Sequence, residues 1–225
     1  MQRTVQKMFG PIPSTYDTVV KLFTLFQDIK WKQEVVQRVQ GEQSDVLDLA
    51  CGTGILTRAL AKKVHAITGI DLTREMVEEA RRRKNPINVD FQHLDAEEID
   101  NYWPHNVFDY VTAGYLLKYC NRRKTLAAIK SVLHPGGVLI AYDFTLPKNR
   151  LVRFLWRRYM ALLKALSDAA IPSWRPVFRE LVGIIERTDW DTSIGHDIQA
   201  TGLRLVEMRY YFFGVVALIV AVKTH

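Results

Sequence analysis

The sequence predicts an α/β fold: a mostly parallel sheet with helices on both faces, closed by an antiparallel strand pair. From residue 45 onward, short apolar runs alternate with amphipathic stretches, which is the order of a parallel sheet built with right-handed crossovers. The tail departs from that rhythm, because 203–213 and 215–223 are both rich in β-branched and aromatic residues with only Gly214 between them. This pattern is typical of two antiparallel strands at a sheet edge.

Length and composition favour one packed domain. The chain has 225 residues, of which 48% are apolar, enough for a single sizeable core. No secretory signal pattern opens the chain, and the most apolar stretch, 210–222, is too short to span a membrane. The two cysteines, Cys51 and Cys120, suggest neither a disulfide framework nor a metal site, so we expect a reducing, cytoplasmic compartment and no bound metal.

The first 41 residues are expected to form a helical lid. Pro11 and Pro13 break the chain early, and Ser14 stands three residues before Asp17, which matches a capping box at a helix start. Apolar residues then recur at helical spacing, so this helix is expected to bury one face. Those residues are Val19, Leu22, Phe23, Phe26 and Ile29.

The alternating elements can be placed in order along the chain. His134-Pro135-Gly136-Gly137 ends a helix and leads directly into the next strand. Residues 148–200 are expected to be mostly helical, and 201–225 to hold the strand pair. Strands are predicted near 45–50, 66–71, 88–92, 107–112 and 137–143, and helices near 54–63, 73–84 and 122–133.

The segment 46–54 predicts a nucleotide site. It consists of an apolar strand with the acidic Asp48 near its end, then a loop holding Gly52 and Gly54, and the second strand ends in Asp71. A strand, a tight loop, a helix and a second-strand carboxylate are the parts of such a site. The loop lacks the third glycine of a dinucleotide site, and Asp48 would repel a pyrophosphate. The ligand that suits this arrangement is a nucleoside carrying positive charge, such as S-adenosylmethionine.

Several residues around this loop have the chemistry to hold that ligand. Gly52 and Gly54 let the backbone approach closely, and the N–H groups of the following helix suit a carboxylate. Asp71 can accept from both ribose hydroxyls. A turn or a helix cap would explain any one aspartate alone, but three near successive strand ends favour a site. The expected donor-binding residues are Tyr16, Asp48, Ala50, Gly52, Gly54, Asp71, Leu72, Met76, Asp95 and Ala96.

Four motifs together resemble those of the class I S-adenosylmethionine-dependent methyltransferases. They are residues 46–54, Gly69-Ile70-Asp71, Asp95-Ala96-Glu97 and the turn 132–137. The resemblance implies a Rossmann-like fold with a seven-stranded sheet in the order 3-2-1-4-5-7-6 and an antiparallel last strand. It also implies that 42–147 form the donor-binding core, with 148–200 as a helical insertion on the acceptor side of the same domain.

A narrower resemblance covers the N-terminal segment and the fourth strand. Residues 5–31, with Tyr16-Asp17 and Trp31-Lys32, and residues 108–115 are similar to the ubiquinone/menaquinone biosynthesis C-methyltransferases. The chain departs from that family at Lys118-Tyr119, where the family has Arg-Asn, and its tail matches only loosely. The resemblance implies S-adenosylmethionine as cofactor and carbon methylation of a small lipophilic aromatic acceptor.

Methylation of carbon or of a phenolic oxygen also requires removal of a proton, so a base is expected near the strand ends. The candidates are His93, Tyr115 and Asp143, while Lys118 could hold an anionic acceptor and Tyr16 could close the site. Each has a simpler structural explanation: a strand-end residue for His93, packing for the tyrosines, a turn for Asp143 and an exposed helix position for Lys118.

Residues 150–166 give the best indication of a partner. Leucines and Tyr159 fall on one side of a helical wheel, and Arg150, Arg153, Arg157 and Lys164 on the other. Together with the net charge of +7, this pattern favours peripheral contact with an anionic membrane, although a core-facing helix with a solvated basic side is an alternative. No RNA-binding module is recognisable, so an RNA or protein methyltransferase, or another small-molecule O- or N-methyltransferase, is the less favoured function.

Overall fold

The computed structural model describes residues 2–224 and contains one seven-stranded sheet. The strand order is β3-β2-β1-β4-β5-β7-β6, which confirms the predicted order. β7 runs antiparallel to both β5 and β6, and the remaining pairs are parallel. The strands are β1 (Asp45–Leu49), β2 (Ala66–Asp71), β3 (Val89–His93), β4 (Phe108–Gly114), β5 (Leu133–Phe144), β6 (Leu203–Tyr211) and β7 (Val216–Lys223).

Helices cover both faces of the sheet, as predicted. One apolar cluster includes buried Val35, Leu60 and Ile184, and a second cluster on the other face includes Ile129 and Ile198. The central strands are therefore buried on both sides, the arrangement that parallel sheets require. The helices are α1 (Gln2–Phe9), α2 (Pro13–Phe23), α3 (Gln27–Arg38), α4 (Ile55–Leu60), α5 (Arg74–Arg82), α6 (Arg122–Val132), α7 (Arg150–Ala170), α8 (Arg175–Arg187) and α9 (Trp190–Ala200).

The capping box predicted at Ser14 and Asp17 is wrong. Helix α2 begins at Pro13, and its N-terminus has no side-chain cap, because proline at the first helical position already has the required backbone angle. The Asp17 carboxylate instead accepts a hydrogen bond from the Thr53 hydroxyl at 2.5 Å and forms an ion pair with Arg83. Asp17 thus ties the N-terminal segment to the glycine loop.

The single N-terminal helix predicted through Ile29 is also wrong, because the chain turns after Phe23. Leu25 and Phe26 both adopt left-handed backbone angles, with φ of 51° and 63°, and the break separates α2 from α3. Leu22, Phe26 and Ile29 are exposed instead of buried. The turn accounts for the exposure of Phe26 and Ile29, whereas Leu22 lies within α2 and faces outward there.

The remaining elements agree closely with the prediction. The first crossover helix, α4, ends at Leu60 and is shorter than expected, whereas β5 begins at Leu133 and includes the Pro-Gly-Gly segment. A short 3-10 turn, Phe212–Gly214, joins the two tail strands. Among residues 2–224, no helix is both long enough and apolar enough to cross a membrane.

Candidate active site

The carboxyl ends of the parallel strands face the N-terminal helices across a cavity, which we call the donor cavity. Parallel α/β sheets place ligands at this edge, where loops leave the strands. Eight of the ten predicted donor-binding residues line it: Tyr16, Ala50, Gly52, Asp71, Leu72, Met76, Asp95 and Ala96. Gln2, Val5 and Phe9 of α1 form part of its wall.

Asp71 is held at the end of β2 by two backbone amides. Its carboxylate accepts from the N–H of Gly52 at 2.9 Å and from the N–H of Thr73 at 2.8 Å. Burial raises the pKa of Asp71 above its ordinary value. Each carboxylate oxygen retains a second lone pair, so this group can still accept from the two hydroxyls of a ribose, and its geometry fits the predicted nucleoside.

Each of the two loop glycines is needed for a different structural reason. Gly52 has a φ of 54° and lines the cavity, where an added Cβ would stand 3.8 Å from the Tyr16 ring. Gly54 has a φ of 79° and does not line the donor cavity; an added Cβ there would lie 2.5 Å from the ring of Phe91. Gly52 therefore allows the backbone to approach a ligand, whereas Gly54 is required for packing of the loop on β3. The expectation that Gly54 serves ligand approach is not supported.

Asp95 and Met76 both line the donor cavity. Asp95 caps a 3-10 turn through a 2.9 Å hydrogen bond from the N–H of Glu97, and its second oxygen accepts from the side-chain amide of Gln2. Met76 is buried on α5 and, with Leu72, presents apolar surface to the cavity. This combination of a carboxylate and apolar walls suits a purine ring with an exocyclic amino group.

Asp48 lies beneath the glycine loop and not in the donor cavity. It is 1% exposed, and its two oxygens accept from the hydroxyls of Thr57 at 2.6 Å and Thr112 at 2.7 Å. Burial raises its pKa to about 6. Asp48 does line a small neighbouring cavity together with Lys32 and Gly52, so it can influence a cationic ligand electrostatically from below.

A second cavity, the aromatic chamber, adjoins the donor cavity and shares Phe9, Tyr16, Tyr115 and Tyr119 with it. Aromatic and aliphatic side chains form its walls, and Lys118 is the charged residue among them. Its other lining residues are Val20, Phe23, Phe144, Trp174, Val177, Phe178 and Leu181. The volume of this chamber is about 40 Å³, so a planar ring could be sandwiched here next to the donor once the walls move apart.

Lys118 and Asp143 form a fully buried ion pair at the base of this chamber. The amino group of Lys118 lies 4.7 Å from the centre of the Tyr119 ring and 5.2 Å from that of Phe144. Burial lowers the pKa of Lys118 well below its ordinary value. Asp143 lines none of the cavities described here; its carboxylate also accepts from the N–H of Phe144 at 2.8 Å. Lys118 is therefore not the exposed helix lysine of the simpler explanation; it lines the chamber, as a site residue would, and Asp143 lies behind it.

Tyr115 links helix α3 to the sheet. It leaves β4 with a φ of 58°, a strained conformation for an aromatic residue. Its ring stacks on Phe144 with centroids 4.9 Å apart, and its hydroxyl donates to the Asp28 carboxylate at 2.8 Å. Burial raises the pKa of Tyr115 well above 10, so the phenol stays protonated and is unsuited to act alone as a base.

Asp28 and Lys32 are not among the predicted site residues, but the fold brings Asp28 to Tyr115 and Lys32 to Gly52. Asp28 is 2% exposed and pairs with Lys32 one turn later on α3. Lys32 lines the small cavity beside Gly52 and Asp48. A signal was available, because an acidic residue four positions before a lysine is a typical helical pair, but only the fold shows that this face of α3 points at the glycine loop.

His93 does not belong to the site. It lies at the end of β3, its side chain is exposed, and its ring nitrogen Nε2 is 2.9 Å from the carbonyl oxygen of Leu72. It lines none of the cavities described here. The structure therefore does not bring His93 to the donor cavity or to the aromatic chamber, and its catalytic role is not supported.

A third cavity, the apolar cavity, continues outward from the aromatic chamber and shares Phe23 and Phe144 with it. Its volume is about 380 Å³, and its lining is almost wholly aliphatic and aromatic. The hydroxyls of Thr24 and Tyr159 in its wall donate to the carbonyl oxygens of Val20 and Phe23, so they do not compete for a ligand. The donor cavity, the aromatic chamber and the apolar cavity are thus neighbours in that order, and each shares wall residues with the next.

The comparison with solved structures shows the same fold. One chain of the complex between the Haloferax volcanii Trm112 methyltransferase activator and a methyltransferase matches with a TM-score of 0.67 and 19% identity, over 90% of this chain and 94% of that chain. An S-adenosylmethionine-dependent methyltransferase from Listeria monocytogenes matches with a TM-score of 0.61 and 19% identity, over 86% of this chain and 98% of that chain.

The comparison of sequences goes further. The ubiquinone/menaquinone biosynthesis C-methyltransferase UbiE of Desulfotalea psychrophila is 35% identical over 73% of this chain and 70% of its own length. The demethylmenaquinone methyltransferase of Clavibacter sepedonicus is 30% identical over 97% of this chain and 90% of its own length. The model of the ubiE/COQ5 methyltransferase family matches residues 1–223. These matches confirm the prediction of an S-adenosylmethionine-dependent methyltransferase, and the chain belongs to the ubiE/COQ5 methyltransferase family.

Proposed function

We propose that this enzyme methylates a ring carbon of a small lipophilic aromatic acceptor, as in ubiquinone- or menaquinone-type biosynthesis. The observation that carries the proposal is the series of three cavities: one suited to a nucleoside, one walled by aromatic rings, and one apolar. A flat ring next to the donor with an apolar substituent leading outward fills this series. The relatives named above carry quinone-biosynthesis names, which agrees with such an acceptor.

Residues in the walls of the donor cavity would each have a role in binding the methyl donor. When bound, S-adenosylmethionine supplies an electrophilic methyl group on a positively charged sulfur. Asp71 would accept from the ribose and Asp95 from the adenine amino group, which requires the Gln2 amide to release its bond to Asp95. Lys32, in the small cavity beside Gly52, would hold the carboxylate of the methionine part. Asp48 beneath the loop would favour the positive charge.

At the acceptor end, Lys118 would act on a hydroxyl of the ring. Since burial lowers the pKa of this amine, it can be unprotonated and take the hydroxyl proton, which makes the neighbouring ring carbon nucleophilic. The ammonium formed is then stabilised by the Asp143 carboxylate with which it is paired. As the new carbon–carbon bond forms, the bond between the sulfur and the methyl group would break. The ring carbon would then pass its own proton to the ring oxygen, which restores the aromatic ring, and the proton on Lys118 would be released to solvent. Tyr115 and Tyr16 would position the ring, and the N-terminal helices would exclude water.

We also infer a cytoplasmic enzyme that contacts the membrane peripherally through residues 150–166. The two free cysteines favour a reducing compartment, and a lipophilic acceptor resides in the bilayer. RNA and protein acceptors are less favoured, because the chamber next to the donor is walled by apolar and aromatic side chains.

Isotope-labelled S-adenosylmethionine and a reduced quinol lacking one ring methyl test the function. The expected product carries the label on a ring carbon, as located by mass spectrometry. Label on oxygen or nitrogen would identify a different small-molecule methyltransferase. Donor binding without transfer to any quinol, phenol or lipid extract would contradict the proposal, and transfer to RNA or protein would support the alternative.

A further inference from the structure

Exposed apolar side chains from three separate segments surround the opening of the apolar cavity. Leu25 comes from the turn between α2 and α3, Leu155 from α7, and Phe212 and Phe213 from the turn between β6 and β7. Each lines the cavity and is nevertheless exposed, at 52%, 57%, 38% and 79% respectively. Large apolar side chains are exposed in clusters mainly where a protein meets an apolar partner.

The exposure extends beyond the opening along the same segments. Leu22 and Phe26 are exposed beside Leu25. On α7, Trp156 and Met160 face the core, while a second apolar stripe faces outward; it consists of Leu151, Phe154, Leu155, Leu162 and Leu166. We call this whole set, with the residues at the opening, the rim surface.

The two turns hold their aromatic residues outward with strained backbone. Phe26 has a φ of 63°, and Phe212 and Phe213 have φ of 48° and 57°. Left-handed angles are unfavourable for bulky residues and persist only where the surrounding structure imposes them. Asparagine or glycine would be easier to accommodate at these angles. The presence of large apolar residues at both turns therefore indicates that their exposure has a function.

The charge of helix α7 indicates which partner covers the rim surface. Residues 150–166 contain Arg150, Arg153, Arg157, Arg158 and Lys164 and no acidic residue. Arg150, Arg158 and Lys164 are exposed, and Arg158 lies over the ring of the exposed Phe154. Arg157 is also exposed but forms an ion pair with Glu186 of α8. A second copy of the chain docked symmetrically would bring the same positive charges together. A bilayer with anionic headgroups satisfies both the apolar and the basic side chains.

We propose that the rim surface docks on an anionic lipid bilayer, so that the apolar cavity opens directly into the acyl region. This proposal rests on the proposed lipophilic acceptor and extends the membrane contact from one helix to three segments. Docking in this orientation lets an acceptor enter the chamber without crossing water, and leaves the donor cavity on the side of α1, in water.

The test is co-flotation of the full chain with vesicles of phosphatidylcholine alone and of phosphatidylcholine with phosphatidylglycerol. The variant Phe26→Asn/Leu151→Ser/Leu162→Ser removes three rim side chains that do not line any cavity, and asparagine tolerates the φ of Phe26. Ile87→Asn is the matched control, since Ile87 is fully exposed but precedes β3 at the opposite edge of the sheet. Calorimetric binding of S-adenosylmethionine shows that each variant is folded.

The expected result is binding of the wild type and Ile87→Asn to anionic vesicles, with about a tenfold or greater loss in the triple variant, because each buried Leu or Phe contributes strongly to partitioning. Arg150→Gln/Arg158→Gln should lose the preference for anionic over neutral vesicles. Equal flotation of the triple variant and the wild type, or no flotation of the wild type, would overturn the proposal. A wild-type dimer that the triple variant lacks, without vesicle binding, would assign the surface to a second copy.

These outcomes are separable from a failure of the proposed function. Turnover of a short-chain, water-soluble quinol should be the same in the triple variant and the wild type. If that quinol is not methylated by any form but the vesicle results hold, the acceptor is wrong and the rim surface stands. If turnover holds and vesicle binding fails, the rim surface is wrong and the acceptor stands.

Discussion

The side chains of Lys118 and Asp143 are both completely buried and form an ion pair beneath the aromatic chamber. Removing one partner of such a pair leaves an uncompensated buried charge. Lys118 faces the chamber and Asp143 lies behind it, so the pair has an order: one group toward the acceptor and one group in support. We therefore expect Lys118 to act in catalysis and Asp143 to contribute mainly to stability.

Lys118→Met should reduce turnover by about 100-fold or more, the usual contribution of a general base, with donor affinity unchanged. The variant should also lose about 3–5 kcal/mol of unfolding free energy, because Asp143 is left unpaired. The double variant Lys118→Met/Asp143→Asn has no buried charge and should recover most of the stability but none of the activity. Denaturant unfolding and labelled-donor turnover measure the two effects, and recovery of turnover in the double variant would exclude Lys118 as the base.

The pH dependence of the wild type follows from the same pair. The reaction needs the unprotonated amine, and burial places the pKa of Lys118 well below its ordinary 10.5. The value of kcat/KM should therefore rise with pH and level off at a pH below that ordinary value. A profile that still rises in parallel with an ordinary lysine, or that falls with pH, would contradict this assignment.

Gly52→Val and Gly54→Ala should fail for different reasons. At Gly52 the new side chain enters the donor cavity, so binding of S-adenosylmethionine should be greatly weakened. Asp71→Ala should weaken the same binding by about 100-fold, because it removes hydrogen bonds to a charged acceptor. At Gly54 the methyl group would overlap Phe91, so the loss should appear in stability. Calorimetry and thermal unfolding distinguish the two, and unchanged affinity in both Gly52→Val and Asp71→Ala would overturn the donor site.

Lys32→Met should weaken binding of S-adenosylmethionine by about tenfold, the effect of one charge-assisted contact. Methylthioadenosine lacks the carboxylate of the donor, so it should bind this variant and the wild type equally. Lys30→Met is the control, because Lys30 lies on the same helix and is exposed. An equal loss of affinity for both ligands would mean that Lys32 only supports Asp28 and the fold of α3.

Asp48→Asn should stabilise the protein at neutral pH. Folding raises the pKa of Asp48 from 3.8 to about 6 through burial, so the native state prefers the protonated form. The stability due to this carboxyl is therefore full below its unfolded pKa and is lost as the pH rises through about 6, a difference of about 3 kcal/mol at most. The uncharged variant should gain up to that amount near neutral pH and almost nothing near ~pH 4.

Denaturant unfolding at the two pH values measures this gain, and donor calorimetry should show weaker binding of the cationic ligand. An equal change in stability at both pH values would show that the charge of Asp48 is not the cause. Thr57→Val/Thr112→Val is the complementary variant, because it removes both hydroxyls that bond to the carboxylate and should destabilise the protein at neutral pH.

Local sequence determined the donor half of this protein. The strand ending near Asp48, the loop with Gly52 and the strand ending in Asp71 lie within one β-α-β unit, whose geometry follows from short connections and right-handed crossovers. The sheet order was implied by the resemblance to the class I methyltransferases, and the tail pair followed from two β-branched and aromatic runs separated by Gly214. Such features depend on neighbours in sequence, and the structure agrees with them.

The tertiary structure decided the acceptor half. Asp28 meets Tyr115, and Lys118 meets Asp143, across separations of 87 and 25 residues, and no spacing rule relates such positions. His93 fits a base as well as Tyr115 does until the strand order places it at the edge of the sheet. The outward stripe of α7 likewise exists only because Trp156 and Met160 take the inner face. Burial, and with it pKa and exposure, is a property of packing. The sequence therefore determined the ligand of the glycine loop, whereas the fold decided which side chains surround the acceptor.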